Sequence, residues 1–388
     1  MTILLIGRCG DLGTGRSPLV QALERHGHDV VIFSGAEFRG PVFHGAKKKI
    51  IRSFPEGKPD LALLDWTGRH ALLFAGTILH QFRIPVFFIV RDLSRICPAD
   101  AVRNANGTGG RFRIENFHFC AFFRHIGGAA ANVVFRLCGI SNRIDLYLAP
   151  SFFVKIKLEQ SSFTRSPILL LRDPLPLRAV STPPASSGKY FLYFGRLSPG
   201  SGVDTLLRAM ELLAAEGAVR LLIAGDGPQR RELEKTAAEH KLPVLFFSFP
   251  TDEFPRHILA NSRCVIFPSE QQENRPASVT GAMAFGRPVI VSNPGGLSEL
   301  VEDGKNGFVF RSGNPRGLCR ALRKMWDLSG REYERICRNA LETARSQYDT
   351  DRYADKIEEL YAVWKRTEKA PYGTNPVHKF SSADEKEE

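Results

Sequence analysis

The loop after the first predicted strand has residue types and a spacing that could bind a phosphate. It reads GRCGDLGTGRS and places Gly10, Gly13 and Gly15 between a strand and a helix. Glycines let a ligand approach the backbone and the helix N-terminus closely. A P-loop is not predicted, because Arg16 stands where that motif needs lysine, and the spacing also differs from a dinucleotide fingerprint. A ligand-binding loop and a plain tight turn stay open as alternatives.

The segment from Arg111 to Arg143 interleaves five arginines with six phenylalanines, and Glu115 is its only acid. A basic segment of this kind, rich in aromatic residues, is typical of contact with an anionic membrane surface. The alternative is an ordinary core helix with its arginines on the solvent side, because the phenylalanines do not fall on one helical stripe.

The net charge is concentrated in the first half of the chain. The 388 residues include 53 Lys and Arg against 41 Asp and Glu, a net charge of +12. Residues 1–185 hold 24 basic against 13 acidic residues, whereas the remainder holds 29 against 28. The first half is therefore expected to face an anionic partner, unless the composition is basic without a special partner. No base-stacking module accompanies the charge, so a nucleic acid is not the expected partner.

Three stretches of the second half, in a fixed order, carry the most specific signal. They read YFGRLSPGSGVDTLLRAM, LLIAGDGPQRREL and FPSEQQENRPASVTGAMAFGRPVIVSNPGGLSELVEDGKNGFVF. Together they resemble the nucleotide-sugar domain of the group 1 (family 4) retaining glycosyltransferases of GT-B fold. The resemblance covers about residues 190–366. Over the first half it rests on the glycine-rich loop and on RHGHDVVIF.

The resemblance implies roles for two residues in catalysis. Arg196 would reach the donor pyrophosphate with its charged guanidinium fork. Glu273 would begin the family's E-x7-E motif and contact the hydroxyls of the donor sugar. The other donor-binding positions that the resemblance implies are Gly195, Gly225, Asp226, Gly227, Pro276, Ala277, Ser278 and Glu299, the last in a loop with Gly295 and Gly296. Gly10, Gly13, Gly15 and Arg91 are placed on the acceptor side.

Two donor-site positions depart from the family pattern. The second glutamate of E-x7-E, which grips the ribose in the family, aligns with Gly281. The lysine that joins the arginine at the pyrophosphate aligns with Ser201. Arg91 stands where the family often has histidine, so a histidine contact to the donor sugar is not expected.

The reaction implied by the resemblance is transfer of a sugar from a nucleotide diphosphate sugar to a glycan or lipid-linked acceptor. Configuration at the anomeric carbon would be retained, through front-face attack assisted by the leaving phosphate. Two alternatives stay open: a degenerate glycosyltransferase that acts as a binding or partner subunit, and a nucleotide-sugar epimerase on the same fold. The nucleotide sugar is a substrate. No cofactor or metal is expected, because the seven cysteines and ten histidines form no ligand motif.

The elements that must position these residues alternate between strands and helices. Continuous apolar runs such as ILLIG and PVFFIV indicate parallel strands covered on both faces. The expected fold class is α/β, with two Rossmann-like doubly wound domains that face each other across a cleft. The expected boundaries are 1–180 for the acceptor-side domain, 185–345 for the nucleotide-sugar domain, 346–366 for a helix that crosses back to the first domain, and 367–388 for a disordered polar tail.

The start of the chain, MTILLIGRCG, is interpreted as a first strand and not as a signal peptide. No run approaches the roughly 20 apolar residues that would span a bilayer. The expected location is the cytoplasm, at the inner face of the membrane if the segment from Arg111 to Arg143 contacts lipid.

Overall fold

In a computed structural model the chain forms two compact units. Unit 1 comprises Met1–Pro174 and Thr350–Glu388, and unit 2 comprises Leu175–Asp349. The first boundary therefore lies a few residues before RAVSTPPASSGK (178–189), a stretch whose prolines and serines are typical of a linker. The structure describes residues 1–7, 18–34, 57–65, 79–90, 141–161, 163–174, 188–214, 219–248, 256–272 and 277–368.

Unit 1 is built on a six-stranded sheet whose paired neighbours are all parallel. Its strands are β1 (Thr2–Gly7), β2 (Asp29–Ser34), β3 (Leu61–Asp65), β4 (Val86–Ile89), β5 (Leu146–Ala149) and β6 (Ile168–Leu170). Their order is β2-β1-β3-β4-β5-β6. Helices α1 (Pro18–Arg25) and α2 (Phe152–Ser161) belong to the described part of this unit. Residues Leu61 to Leu64 of β3 are all fully buried, as expected for a strand covered on both faces.

The last helix of the chain, which we call α9 (Thr350–Glu368), packs in unit 1 against α1. Its buried residues Tyr353, Ile357 and Leu360 belong to the same hydrophobic cluster as Leu19 and Leu23 of α1. Polar contacts accompany this packing at the helix edges. Salt bridges join Arg25 to Asp351 at 2.9 Å and His28 Nε2 to Glu358 Oε1 at 2.7 Å.

Unit 2 carries a second parallel six-stranded sheet. Its strands are β7 (Tyr190–Phe194), β8 (Leu221–Ala224), β9 (Val244–Phe247), β10 (Ser262–Phe267), β11 (Val289–Ser292) and β12 (Gly307–Phe310), in the order β12-β11-β10-β7-β8-β9. The described helices of this unit are α3 (Val203–Ala214), α4 (Arg230–Glu239), α5 (Arg256–Ala260), α6 (Ala277–Ala284), α7 (Pro315–Asp327) and α8 (Gly330–Tyr348).

The strand order of unit 2 reverses between β7 and β10. From β7 the chain builds outward through β8 to β9, and it then returns to place β10 on the other side of β7. This is the order of a dinucleotide-binding Rossmann sheet, in which ligands bind outside the carboxyl ends of the strands at the reversal. The fold therefore singles out the loops that follow β7 and β10.

Helix α8 begins at a capping box. The Ser329 hydroxyl accepts a hydrogen bond from the Glu332 N–H, while the Glu332 carboxylate accepts one from the Ser329 N–H at 3.1 Å. The Ser329 hydroxyl also donates to the Glu332 carboxylate at 2.7 Å, and this hydrogen bond, together with the one from the Ser329 N–H, lowers the pKa of Glu332, because both favour its charged form. The cap fixes the start of the helix that carries Tyr333 into the core.

Two arginines are buried at the amino end of β10, where the sequence gives no sign of a site. The Arg263 guanidinium is 5% exposed and donates hydrogen bonds to the carbonyl oxygens of Met325, Trp326 and Leu328, at the end of α7. A cation at a helix C-terminus is favoured by the helix dipole and by the unpaired carbonyls. Arg263 also lies over the Tyr333 ring, 3.9 Å from the centroid.

Arg287 is fully buried next to Arg263 and likewise donates hydrogen bonds to oxygen atoms. Its guanidinium donates to the carbonyl of Ser262 at 2.8 Å, to the Tyr333 hydroxyl at 2.9 Å and to the carbonyl of Ala260. Burial raises the pKa of Tyr333, so its hydroxyl keeps its proton and donates to the Arg263 carbonyl at 2.7 Å.

Candidate donor site at the carboxyl edge of unit 2

The loop after β7 presents Arg196 to solvent at the reversal point of the sheet. Gly195 has a φ of +153°, a backbone conformation that favours glycine. The Tyr193 hydroxyl donates a hydrogen bond to the Arg196 carbonyl at 3.1 Å and so holds the peptide group between Arg196 and Leu197. The Arg196 side chain is exposed and has no hydrogen-bond or ion-pair partner among the described residues. Its guanidinium is thus available to an anionic ligand.

The loop after β8 lies directly against the loop after β7. A Cβ atom on Gly225 would lie 1.9 Å from the Gly195 carbonyl oxygen, and one on Gly227 would lie 2.1 Å from that of Leu197. The Leu197 N–H donates to the Asp226 carbonyl at 2.9 Å. Both glycines are therefore required by the packing of one loop on the other.

Asp226, at the centre of this loop, has an exposed carboxylate. Its Oδ1 atom accepts a hydrogen bond from the Gly227 N–H at 2.7 Å, which closes a local turn. Its Oδ2 atom lies 3.8 Å from the guanidinium of Arg230. These contacts occupy the carboxylate locally, so the structure gives Asp226 a part in shaping the loop.

The segment Gly200–Gly202 is hydrogen-bonded to the loop after β10 and packs closely against it. The Glu270 N–H donates to the Gly200 carbonyl at 2.8 Å, and a Cβ atom on Gly202 would lie 1.9 Å from the Pro268 carbonyl oxygen. The Ser201 hydroxyl is shielded from solvent and has no hydrogen-bond partner among the described residues. The two loops at the reversal point thus form one packed substructure, with Ser201 inside it.

Helix α6 contains Gly281, which aligns with the second glutamate of the E-x7-E motif. The helix begins at Ala277, and Ser278 in its first turn is exposed. Gly281 lies in the middle of this helix, and a Cβ atom built on it meets no described atom within 4 Å. Its backbone is helical and not left-handed, so the described residues leave room there for a Cβ atom.

The loop after β11 brings the last predicted group to the same edge. Gly295 has a φ of +71°, and Gly296 precedes a 3-10 turn over Leu297–Leu300 that contains the half-buried Glu299. Because β11 pairs with β10 in parallel, this loop and the loop after β10 lie at one edge of the sheet. The structure therefore brings Gly195, Arg196, Ser201 and the loop Gly225–Gly227 close together. Glu299 follows β11, which lies two strands away from β7.

Several predicted site residues lie outside the described residues. They are Glu273, Pro276, Arg91, Gly10, Gly13 and Gly15, together with the segment from Arg111 to Arg143 up to residue 140. The last three residues of that segment, Ser141–Arg143, form a 3-10 turn. In the ranges that can be described, no group of three or more His, Cys, Asp and Glu side chains is placed to hold a metal ion, and no helix is both long and apolar enough to cross a bilayer.

Sequence reasoning passed over one residue of this edge. Arg230, in the first turn of α4, donates hydrogen bonds to the Gly225 carbonyl at 3.1 Å and to the Ser248 hydroxyl at 2.6 Å. It therefore links the carboxyl ends of β8 and β9. The signal was present in GDGPQRREL, but the sequence does not show which of its two adjacent arginines turns back toward the loop.

Comparison with known proteins relates the second unit to one large family. Residues 180–343 match the family model for group 1 glycosyl transferases. An uncharacterised glycosyltransferase of Methanocaldococcus jannaschii is 30% identical over 182 residues, which are 45% of this chain and 45% of that protein. The alpha-D-kanosaminyltransferase of Streptomyces kanamyceticus is 27% identical over 173 residues, 44% of each chain. The chain thus spans less than half the length of these relatives.

Two solved structures resemble nearly the whole chain in fold. Sucrose-phosphate synthase from Thermosynechococcus elongatus has a TM-score of 0.70 at 17% identity, over 95% of this chain and all of that one. HepE of Anabaena, in complex with UDP, has a TM-score of 0.64 at 19% identity, over 93% and 100% of the two chains. The α/β fold of GT-B glycosyltransferases, with two parallel sheets, is confirmed. That the two units face each other across a cleft stays a prediction.

Proposed function

We propose that this chain is a glycosyltransferase that moves a sugar from a nucleotide diphosphate sugar to a glycan or lipid-linked acceptor. One observation carries the proposal. The residues that match the group 1 family model coincide with a Rossmann-type unit whose reversal point presents an exposed arginine, Arg196, without a partner among the described residues. A diphosphate is the ligand that a guanidinium fork at such a place suits best. HepE, which has the same fold, is described in complex with UDP.

The proposed reaction is a substitution at the anomeric carbon with retention of configuration. An acceptor hydroxyl forms a bond to that carbon while the bond to the diphosphate oxygen breaks, and the hydroxyl proton passes to the departing phosphate. Arg196 stabilises the negative charge that grows on the diphosphate. Glu273 holds hydroxyls of the donor sugar, and the N-terminus of α6 adds backbone N–H groups toward phosphate. No resident cofactor or metal takes part in this scheme.

The proposal is tested by ligand binding followed by product analysis. A thermal-shift panel of UDP, GDP, ADP and TDP, and of their glucose and galactose conjugates, should raise the unfolding midpoint for one base, because a ligand of the native state stabilises it. Turnover of that conjugate with a glycan or lipid acceptor should release the nucleoside diphosphate, and proton NMR of the product should show the anomeric configuration of the donor. No midpoint shift with any nucleotide would contradict the proposal.

The same experiment separates the two alternatives. A degenerate transferase binds a nucleotide but forms no glycoside. An epimerase interconverts two nucleotide sugars without any acceptor. Gly281 and Ser201, which lack the side chains of the family motif, motivate the first alternative. Release of nucleoside diphosphate that depends on the acceptor would exclude both.

The acceptor side is proposed to lie in unit 1 and to contact an anionic membrane through the segment from Arg111 to Arg143. The basic excess of the first half supports this, since surface cations are attracted to anionic lipid. In liposome flotation the protein should float with anionic vesicles at low salt and be lost at high salt, because screening acts over about 10 Å at 0.1 M salt. Equal recovery on neutral vesicles would contradict this contact.

A further inference from the structure

Arg196 is held on both sides by the neighbouring loop. The residue before it, Gly195, donates its N–H to the Ala224 carbonyl at 3.0 Å. The residue after it, Leu197, donates to the Asp226 carbonyl at 2.9 Å and accepts from the Gln229 N–H at 3.1 Å. The side chain of Arg196 itself is exposed. The direction in which its Cα–Cβ bond leaves the backbone is therefore set by the backbone of residues 224–229.

Arg230 holds that backbone at the Gly225 carbonyl. One nitrogen of its guanidinium, Nη1, donates to the Gly225 carbonyl at 3.1 Å and to the Ser248 hydroxyl at 2.6 Å. Its Nε donates to the Glu234 carboxylate at 2.8 Å, and Asp226 Oδ2 lies 3.8 Å from Nη1. The side chain is 21% exposed, so these hydrogen bonds are partly shielded from water. Charge-assisted hydrogen bonds of this kind are among the stronger ones in proteins.

We infer that Arg230 is a positioning residue for Arg196: it holds the 225–229 loop, and that loop holds the peptides on both sides of Arg196. The inference rests on the proposed function, because it assigns Arg196 to the donor diphosphate. Arg230 does not itself contact the ligand. Its effect on ligand binding passes through the loop and therefore depends on the presence of the Arg196 side chain.

The planar fork of Arg230 is needed for this role. The guanidinium reaches the loop carbonyl, the end of β9 and a carboxylate of its own helix at the same time. Lysine carries the same charge on a single nitrogen and cannot reproduce this arrangement. The adjacent Arg231 is exposed and has no partner among the described residues, so it serves as a control for loss of one positive charge on the same helix.

The test is a double-mutant cycle on binding of the nucleoside diphosphate that gives the largest thermal shift among UDP, GDP, ADP and TDP. By calorimetry, Arg230→Ala should weaken binding about 3- to 30-fold in the parent protein, and less than about twofold when Arg196 is already alanine. Arg230→Lys should recover only part of the loss. Arg231→Ala should bind like the parent. Equal losses from Arg230→Ala in both backgrounds would overturn the inference.

A second measurement reports on the loop without any ligand. Amide hydrogen exchange of the apo protein should show faster exchange at Leu197 and Gln229 in Arg230→Ala, by about tenfold, with the core strands of unit 2 unchanged. Unchanged exchange at these two amides would overturn the inference. If Arg196→Ala binds as well as the parent, the donor-site assignment fails while the exchange result still decides whether Arg230 holds the loop. If Arg230→Ala does not fold, Arg230→Lys and Ser248→Ala provide the same two measurements.

Discussion

The two edges of the unit 2 sheet both carry arginines, and they use them in opposite ways. At the amino edge Arg263 and Arg287 are buried, and their guanidinium groups donate to backbone carbonyls and, for Arg287, also to the Tyr333 hydroxyl. At the carboxyl edge Arg196 is exposed and has no partner among the described residues. An arginine stabilises the fold where the protein itself provides hydrogen-bond acceptors for the guanidinium. Where the described residues provide no acceptor, the guanidinium is available to a ligand.

The largest expected effect is on stability at the amino edge. Arg287→Ala removes a buried hydrogen-bond donor from the carbonyls of Ser262 and Ala260 and from the Tyr333 hydroxyl. We expect a loss of about 3–5 kcal/mol in the free energy of unfolding of unit 2, measured by urea titration. Arg316→Ala, at an exposed arginine of α7, is the control and should change the free energy by less than about 0.5 kcal/mol. A loss that small from Arg287→Ala would erase the contrast between the edges.

The second effect is on binding and leaves stability unchanged. Arg196→Ala should weaken nucleoside diphosphate binding by about 1.5–3 kcal/mol, because one charge-assisted hydrogen bond is lost. Calorimetry measures the affinity, and urea titration should give the parent's free energy of unfolding. Parent-like affinity would remove Arg196 from the diphosphate site, and destabilisation would show that the carboxyl edge resembles the amino edge after all.

The third effect is a gain of affinity at the carboxyl edge. Gly281→Glu with Ser201→Lys introduces the two side chains that the resembling family's motif contains, and a Cβ atom at Gly281 meets no described atom within 4 Å. We expect binding of the nucleotide sugar to tighten about tenfold, or about 1.4 kcal/mol, since neighbouring contributions seldom add fully. Gly281→Gln with Ser201→Met is a matched control of similar size without the charges. A folded double variant that binds no better than the parent would place the donor on other residues.

The smallest effect concerns the helix that brings Tyr333 to the amino edge. Ser329→Ala removes the hydroxyl of the capping box and should cost about 1 kcal/mol of stability at neutral pH. The cap also lowers the pKa of Glu332. The stability that the charged Glu332 carboxylate contributes is therefore complete above its pKa in the unfolded chain and is lost as the pH falls through its pKa in the folded protein. Urea titrations between pH 7 and pH 3 should therefore show a shallower acid decline in the variant than in the parent.

Much of the fold could be predicted because it depends on patterns local in the sequence. The continuous apolar runs ILLIG and PVFFIV belong to the buried parallel strands Thr2–Gly7 and Val86–Ile89, and the helix expected over 346–366 is found at Thr350–Glu368. The caps Asn314 of α7 and Ser329 of α8 are likewise local signals in the sequence.

The candidate site could be predicted only in part. Its glycines and Arg196 stand in motifs, and the structure brings them to one edge. The sequence could not show that Gly225 is required by the approach of the Gly195 carbonyl, because that contact joins two strands. The burial of Arg287 could not be predicted either, since arginine is rarely buried and its acceptors come from two segments, around residues 260–262 and at Tyr333, that are distant from it in the sequence. The roles of Glu273 and Pro276 stay predictions.

The position of α9 has a consequence for how the chain acquires its structure during synthesis. Unit 1 is discontinuous, because Tyr353, Ile357 and Leu360 of α9 complete a hydrophobic cluster whose members outside that helix all precede Pro174. When the ribosome has made all of unit 2, unit 1 still lacks the helix that covers α1. Unit 2 can therefore mature first, while the earlier half waits with an apolar face uncovered and open to chaperones or to aggregation.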